Sequence, residues 1–173
     1  MRTFQLLLLL VIVVQSCTEQ ASDEPEDYQV NLGSEAVILV DTKDSLSISG
    51  VKAIPFDVFR RNELKYLSIF GQDCDMAGIE CFAISEIPKE ISKLKKLEEL
   101  HLTLNYITTL PIEILELKNL RVLDINENPG FDDIEKVEQM TWLEEFSCYG
   151  CQISDKDRER LIQKLPNCKI GIE

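Results

Sequence analysis

An apolar pattern recurs along this chain at a fixed interval. Residues 97–111 read LEELHLTLNYITTLP, in which alternating apolar residues are followed by an asparagine and then by a Leu-Pro pair. Corresponding positions of three successive units lie 23 residues apart: Leu97, Leu100, Leu102 and Asn105, then Leu120, Leu123, Ile125 and Asn128, then Leu143, Phe146, Cys148 and Cys151. A constant interval in this range indicates an array of stacked repeats.

Each unit carries two apolar stripes that it cannot bury alone. Leu100 and Leu102 alternate with polar residues, which predicts a short β-strand with one buried face. After the chain turns at the asparagine, the near-helical spacing of Leu110, Ile114 and Leu117 predicts a return limb with a second stripe. Stacking joins the stripes of neighbouring units into one core.

The pattern LxxLxLxxNxIxxLP resembles that of the leucine-rich repeat family, in its 23-residue class with LPxxIxxLxxL on the return limb. The resemblance implies an α/β fold, namely a short leucine-rich-repeat solenoid. In such a solenoid parallel β-strands line the concave face, and helical or irregular limbs form the convex side. We expect one domain, over residues 30–173.

The spacing also locates an interruption in the array. It is 23 from Leu46 to Ile69 and again from Ile84 to Ile107, so additional residues form an insertion near residues 71–83. The third unit has Asp133-Ile134 in place of Leu-Pro, which makes its return limb atypical. Strands are therefore predicted near 44–48, 65–69, 98–102, 121–125 and 144–148, with a capping strand at 36–40.

The last residues, 154–173, differ from the repeats and predict a C-terminal cap. Ser154-Asp155 is a helix start signal, Leu161, Ile162 and Leu165 share one helical face, and Pro166 ends the helix. A short final strand follows.

The first residues read as a secretion signal. Arg2 precedes an unbroken apolar run from Leu6 to Val14, which is too short to span a bilayer, so residues 1–16 are predicted to be a signal peptide. The sequence VQSC, ending at Cys17, resembles the bacterial lipobox, which implies lipidation of Cys17 and membrane attachment. An ordinary signal with an incidental cysteine is the alternative.

Residues 17–29 are polar and acidic and predict a flexible tether. An acidic stretch after a lipidated cysteine resembles the export signals of some surface lipoproteins. We therefore expect a lipid-anchored protein of the bacterial cell envelope, at the outer membrane.

Charge narrows the class of partner. The net charge is −13 and no Lys/Arg cluster appears, which argues against nucleic acid and favours a basic protein ligand. No motif for a cofactor or metal is recognised, and the sequence leaves the oligomeric state open.

The cysteines allow two arrangements. Besides Cys17 there are five, and Cys74 and Cys81 bracket the insertion and form a candidate disulfide, with free thiols as the alternative.

Cys148 and Cys151 form a CxxC motif, but they fall on a buried strand position and on the asparagine position of the repeat. A structural role is therefore favoured over redox or zinc chemistry.

The outward strand positions predict a binding face. Aromatic side chains among carboxylates are typical of protein-binding hot spots, unless the insertion folds back over Tyr66 and Phe70. The candidate binding residues on the concave face are Tyr66, Phe70, Glu99, His101, Asp124, Asn126, Glu145 and Tyr149.

The same register aligns Ser68, His101 and Asp124 on three consecutive strands, as a hydrolytic row would require. Neither an oxyanion hole nor a strained nucleophile turn accompanies the row, so a surface pair of His101 with Asp124 is favoured. The sequence thus predicts a non-enzymatic protein-binding lipoprotein. An envelope hydrolase that uses this row and a structural envelope component are the alternatives.

Overall fold

The computed structural model describes residues 36–72 and 82–172. Several sequence predictions lie outside these residues: the signal peptide 1–16, the tether 17–29 with Cys17, the segment 30–35, and the candidate disulfide Cys74–Cys81.

Within the described residues, seven strands form one sheet whose spatial order is the order along the chain. The first two strands are antiparallel and every later neighbour is parallel. The strands are β1 Val37–Asp41, β2 Ser45–Ser49, β3 Tyr66–Phe70, β4 Glu99–His101, β5 Val122–Asp124, β6 Glu145–Ser147 and β7 Lys169–Gly171. The predicted α/β solenoid with parallel strands is confirmed.

The predicted repeat register is confirmed in the core from β3 to β6. The predicted 23-residue spacing from Leu46 to Ile69 is wrong, because Leu46 lies opposite Leu67, so the first unit is two residues shorter. Leu100 of β4 lies opposite Leu67, Leu123 lies opposite Leu100, and Phe146 lies opposite Leu123. All four side chains are fully buried. Since side chains alternate along a strand, this ladder leaves the neighbouring residues facing away from the core.

Buried asparagines join neighbouring units at the turn after each strand. Asn128 donates through Nδ2 to the carbonyls of Leu102 and Ile125 at 2.8 and 3.0 Å, and its Oδ1 accepts the Ile107 N–H at 2.9 Å. Asn105 occupies the equivalent position one unit earlier, where its amide bonds the backbone of Ile69 and Ile84 in the same way. The side-chain amides thus satisfy backbone groups that the irregular turn leaves buried.

The return limbs are short 3₁₀ helices at Phe56–Arg60, Lys89–Lys93 and Ile112–Glu116. A proline precedes each one and has φ between −60° and −66°, which presets the first turn. The prediction of helical or irregular limbs is thereby confirmed and refined. In the unit without Leu-Pro, Asp133 accepts the Leu110 N–H at 2.9 Å and precedes a single α-helical turn, α1 (Ile134–Val137).

At the C-terminal end, α2 (Asp155–Lys164) begins where the sequence predicts. Its N-cap Ser154 accepts the Asp157 N–H at 3.2 Å. Leu161 packs into the core, and β7 then pairs with β6. The helix lies beside α1, and it buries Leu161 and Leu165 against the last repeat.

Cys148 and Cys151 lie in the core, as their repeat positions predict, and they form a disulfide with a Cα–Cα distance of 5.6 Å. Cys151 stands at the asparagine position, with Sγ 3.3 Å from the Ile125 carbonyl oxygen. Among the described cysteines, Cys168 carries a free thiol, and partial burial raises its pKa to about 11. The CxxC is therefore part of the packing, as the favoured interpretation expects.

Candidate binding face

The concave face is the side of the sheet opposite the core. Strand register arranges its side chains in two rows that cross the strands. The first row contains Ser45, Tyr66, Glu99, Val122, Glu145 and Lys169. The second contains Ser47, Ser68, His101, Asp124, Ser147 and Gly171.

A histidine between two carboxylates lies at the centre of these rows. His101 Nδ1 is 3.3 Å from Asp124 Oδ2, and His101 Nε2 is 3.3 Å from Glu99 Oε2. The Tyr66 ring lies beside the imidazole, with centroids 5.1 Å apart and planes inclined by 34°. Four predicted site residues therefore meet in one cluster, and the predicted His101–Asp124 pair is present.

This cluster favours the charged forms of His101 and Asp124. The hydrogen bond to Asp124, assisted by Glu99, raises the pKa of His101 although burial opposes the shift. Burial alone would raise the pKa of Asp124, but hydrogen bonds from His101 and the Asn126 N–H lower it. The imidazolium form is thus stabilised between two carboxylates, and the cluster is net acidic in either protonation state of His101.

Asn126 and Tyr149 extend the cluster toward the C-terminal ends of the strands. Asp124 Oδ1 accepts the Asn126 N–H at 2.9 Å, and Asn126 Oδ1 in turn accepts the Tyr149 N–H at 2.7 Å. The Tyr149 ring packs over Gly171, where an added Cβ would lie 2.9 Å from the ring. Asn126 therefore holds the backbone from which the Tyr149 ring projects.

The predicted aromatic residues differ in exposure. Phe70 and Tyr149 remain 43% and 42% exposed, whereas Tyr66 is half-buried against His101. The alternative in which the insertion covers Tyr66 and Phe70 concerns residues 73–81, which lie outside the described part. The described residues leave two large rings open to solvent at the edge of an acidic face.

Lys169 is a charged residue of this face that sequence reasoning missed. Its Nζ lies 2.8 Å from Glu145 Oε1 across the last pair of strands. The 23-residue spacing does not give this pair, because Lys169 lies 24 residues after Glu145. The usable signal is the predicted final strand, in which Lys169 lies between Cys168 and Ile170 and faces the opposite side. Glu145 is consequently paired, and the unneutralised negative charge concentrates near Glu99 and Asp124.

The alignment of Ser68, His101 and Asp124 across β3, β4 and β5 is present. Nevertheless, Nε2 of His101, the atom that would take the serine proton, contacts Glu99 instead. The arrangement suits ionic binding better than nucleophilic catalysis.

Solved structures with the same architecture are leucine-rich-repeat proteins. The receptor kinase HAESA of Arabidopsis thaliana, in complex with the peptide hormone IDA and the co-receptor SERK1, aligns at a TM-score of 0.50 with 22% identity. The alignment covers 74% of this chain and 21% of that one. The BIR3–SERK2 complex from Arabidopsis thaliana also gives 0.50, at 18% identity over 88% of this chain and 80% of that one.

The chain has the leucine-rich-repeat fold. A leucine-rich-repeat protein of Leptospira interrogans is 29% identical over 68% of this chain, with a TM-score of 0.46, and this chain spans only 33% of its length. No protein-family model matches the sequence, and a search of curated proteins finds no match.

Among residues 36–72 and 82–172, no helix has the length and apolar character needed to cross a membrane.

Proposed function

We propose that this chain is a protein-binding lipoprotein of the bacterial cell envelope that holds its ligand on the concave face. The observation that carries the proposal is the pair of exposed rings, Phe70 and Tyr149, on either side of the acidic cluster at His101. Rigid aromatic side chains on a sheet bury large areas at low entropic cost, and they are over-represented at interface hot spots. HAESA, which shares the fold, is in complex with a peptide hormone and a co-receptor.

Electrostatics favour a ligand segment that carries lysine or arginine. Glu99 and Asp124 share one histidine cation, and the Glu99 side chain is 47% exposed. The whole chain has a formal charge of −13, which repels acidic partners and speeds association with basic ones. A basic side chain beside Glu99 would gain a charge-assisted hydrogen bond without breaking the His101–Asp124 pair.

Lipid attachment at Cys17 explains how such a domain is retained at the envelope. The VQSC sequence follows an apolar run of signal-peptide length, and acidic residues follow the cysteine. The outer membrane is the proposed location, with residues 17–29 as the tether.

A pull-down from envelope extract tests the binding proposal. The mature chain is compared with Phe70→Ala, Tyr149→Ala and Glu99→Gln, and Tyr106→Ala serves as the control because Tyr106 is similarly exposed away from the two rows. We expect one captured protein that all three concave variants lose and the control retains. If only Tyr106→Ala lost the captured protein, the binding surface would lie elsewhere and the proposal would be refuted.

A further inference from the structure

A third row of concave side chains lies beside the two rows already described. Backbone hydrogen bonds continue the register of the strands past their C-terminal ends. The Leu104 N–H donates to the Asn126 carbonyl at 3.0 Å, and one unit later the Glu127 N–H donates to the Tyr149 carbonyl at 2.7 Å. The residues two positions after the second row are therefore also aligned across the strands. This third row contains Phe70, Thr103, Asn126 and Tyr149.

An exposed aromatic ring lies at each end of the third row, and two smaller polar residues lie between the rings. Phe70 and Tyr149 are 43% and 42% exposed, whereas Thr103 and Asn126 are partly buried. The Tyr149 ring lies over Gly171 of β7, which is the side of Tyr149 away from Asn126. The third row is therefore a polar floor with a large ring at either end.

The acidic cluster lies beside the middle of this floor. His101 and Asp124 belong to β4 and β5, the two strands between those that end in the rings, and Thr103 Oγ1 is 3.5 Å from Asp124 Oδ2. Glu99 Oε2 contacts the same imidazole at 3.3 Å, and the Glu99 side chain is 47% exposed. Two carboxylates consequently lie about halfway between the rings.

The distance between the rings matches an extended polypeptide laid across the strands. The Phe70 and Tyr149 backbones are three strand intervals apart, which is about 14 Å at about 4.8 Å per interval. Four steps along an extended chain also cover about 13–14 Å, and residues i, i+2 and i+4 of such a chain point to the same side. Residue i+2 then lies over the middle of the floor, beside the two carboxylates.

The carboxylates require a long basic side chain at that central position. The second row lies two residues from the third along each strand, a distance of about 7 Å. The stems of lysine and arginine are long enough to cross this distance and to deliver the cation to an anionic oxygen. A short or acidic side chain would leave the carboxylates without a new partner.

A helical ligand matches the rings poorly. At about 1.5 Å per residue, a helix needs about nine residues to cover the same distance, and at about 3.6 residues per turn two residues that far apart point in opposite directions. One face of a helix therefore cannot present an apolar side chain to each ring at this separation. The geometry favours an extended segment.

We propose that the ligand presents an extended segment that crosses the strands, with an apolar side chain at i, lysine or arginine at i+2, and a second apolar side chain at i+4. The apolar side chains contact the Phe70 and Tyr149 rings, and the cation pairs with Glu99 or Asp124. This inference rests on the proposed function, because it specifies which segment of a protein ligand the concave face recognises.

Selection from a phage-displayed heptapeptide library tests the spacing. The bait is the mature chain with Cys17→Ala, which lacks the proposed lipid. We expect the selected peptides to share two apolar residues four positions apart, with lysine or arginine midway between them. Inserting one glycine before the second apolar residue turns that side chain to the other face, and it should weaken binding at least about tenfold.

Substitutions in the bait locate the peptide on the concave face. Phe70→Ala and Tyr149→Ala should each lose the selected peptides, and Glu99→Gln should reduce the preference for a basic residue. Tyr106→Ala is the matched control and should select the same peptides as the parent. Equal melting temperatures show that the variants keep the fold.

The possible outcomes separate this inference from the proposed function. Peptides that need both rings but have another spacing would overturn the inference and leave the concave binding face supported. Peptides that bind all the variants equally well, or a library that yields no binder, would also overturn it. The proposed function itself stands or falls with the capture from envelope extract.

Discussion

At the residue scale, the buried asparagine shows how a polar side chain can hold an apolar stack together. Asn128 is fully buried, and its amide contacts the backbone of two units. A leucine of similar size would leave the Leu102 carbonyl and the Ile107 N–H without these partners. Unsatisfied buried groups of this kind are expensive, so the position selects a side chain that both donates and accepts.

Asn128→Ala should therefore lower the free energy of unfolding by about 2–4 kcal/mol. Urea denaturation followed by circular dichroism measures the change. Asn126→Ala is the comparison, since that side chain accepts from the Tyr149 backbone at the concave surface, and it should lower stability by much less. If both substitutions lowered the free energy of unfolding equally, burial of the amide would not explain the requirement for asparagine at position 128.

His101 makes stability depend on pH. Asp124 and Glu99 raise its pKa in the folded state, so protonation favours folding. This stabilisation is complete below the ordinary histidine pKa, about 6.5, and is lost as pH rises through the higher folded value. Between those two values the free energy of unfolding should fall by no more than about 1.4 kcal/mol per pH unit.

Chemical denaturation between pH 5.5 and 8.5 measures this dependence, and His101→Gln should flatten it. The two proteins should differ most at the acidic end of the range. A parent protein whose stability rises across the window would contradict the assigned direction of the His101 shift.

At the element scale, much of the fold could be predicted from sequence because a repeat fixes register. The interval from Leu100 to Leu123 places two strands side by side, and alternation then decides which side chains face inward. The same logic identified His101 and Asp124 as neighbours, since they follow those leucines by one residue. Strand positions and the concave set therefore required no tertiary information.

Other features depend on side-chain rotamers and on the C-terminal segment of the chain, neither of which the repeat period determines. The contact of Glu99 with His101 Nε2 depends on a side-chain torsion, and it occupies the nitrogen that a hydrolytic row would use. To predict the Lys169–Glu145 ion pair, one must know the register of the final strand, and that segment lacks the repeat pattern. The return limbs are 3₁₀ rather than α-helical, a choice that apolar spacing alone leaves open.

Leu100→Ala should lower the free energy of unfolding by about 2–5 kcal/mol, because it leaves a cavity between two neighbouring strands. That is a large share of the roughly 5–15 kcal/mol available to a domain. Thermal unfolding measures the loss, and Thr103→Ala, on the same segment but facing outward, should change it little. A negligible effect of Leu100→Ala would refute the register and every concave assignment that depends on it.

At the scale of the whole molecule, the sheet separates the core from the proposed binding face. The leucine ladder and the buried asparagines lie on the core side, and His101, Asp124 and Glu99 lie on the opposite side. Surface substitutions on the concave face should consequently alter binding with little change in melting temperature. The proposed lipid anchor at Cys17 belongs to neither side of the sheet, and its role is to attach the protein to the membrane.

Cys17→Ala should transfer the protein from the detergent phase to the aqueous phase in Triton X-114 partition, because the acyl chains are lost. Circular dichroism of the folded domain should not change. Cys168→Ala is the control and should stay in the detergent phase. Intact-mass analysis that finds the parent without lipid on Cys17 would remove the lipoprotein part of the proposal.

The most direct test of the concave face is photo-crosslinking in cells that produce the protein. A benzophenone amino acid is placed at position 70 or 149 on the concave face, or at position 56 or 106, which are also exposed aromatic positions. We predict the same adduct from 70 and 149 and none from 56 or 106. An adduct formed from 56 or 106, with none from 70 and 149, would contradict the account.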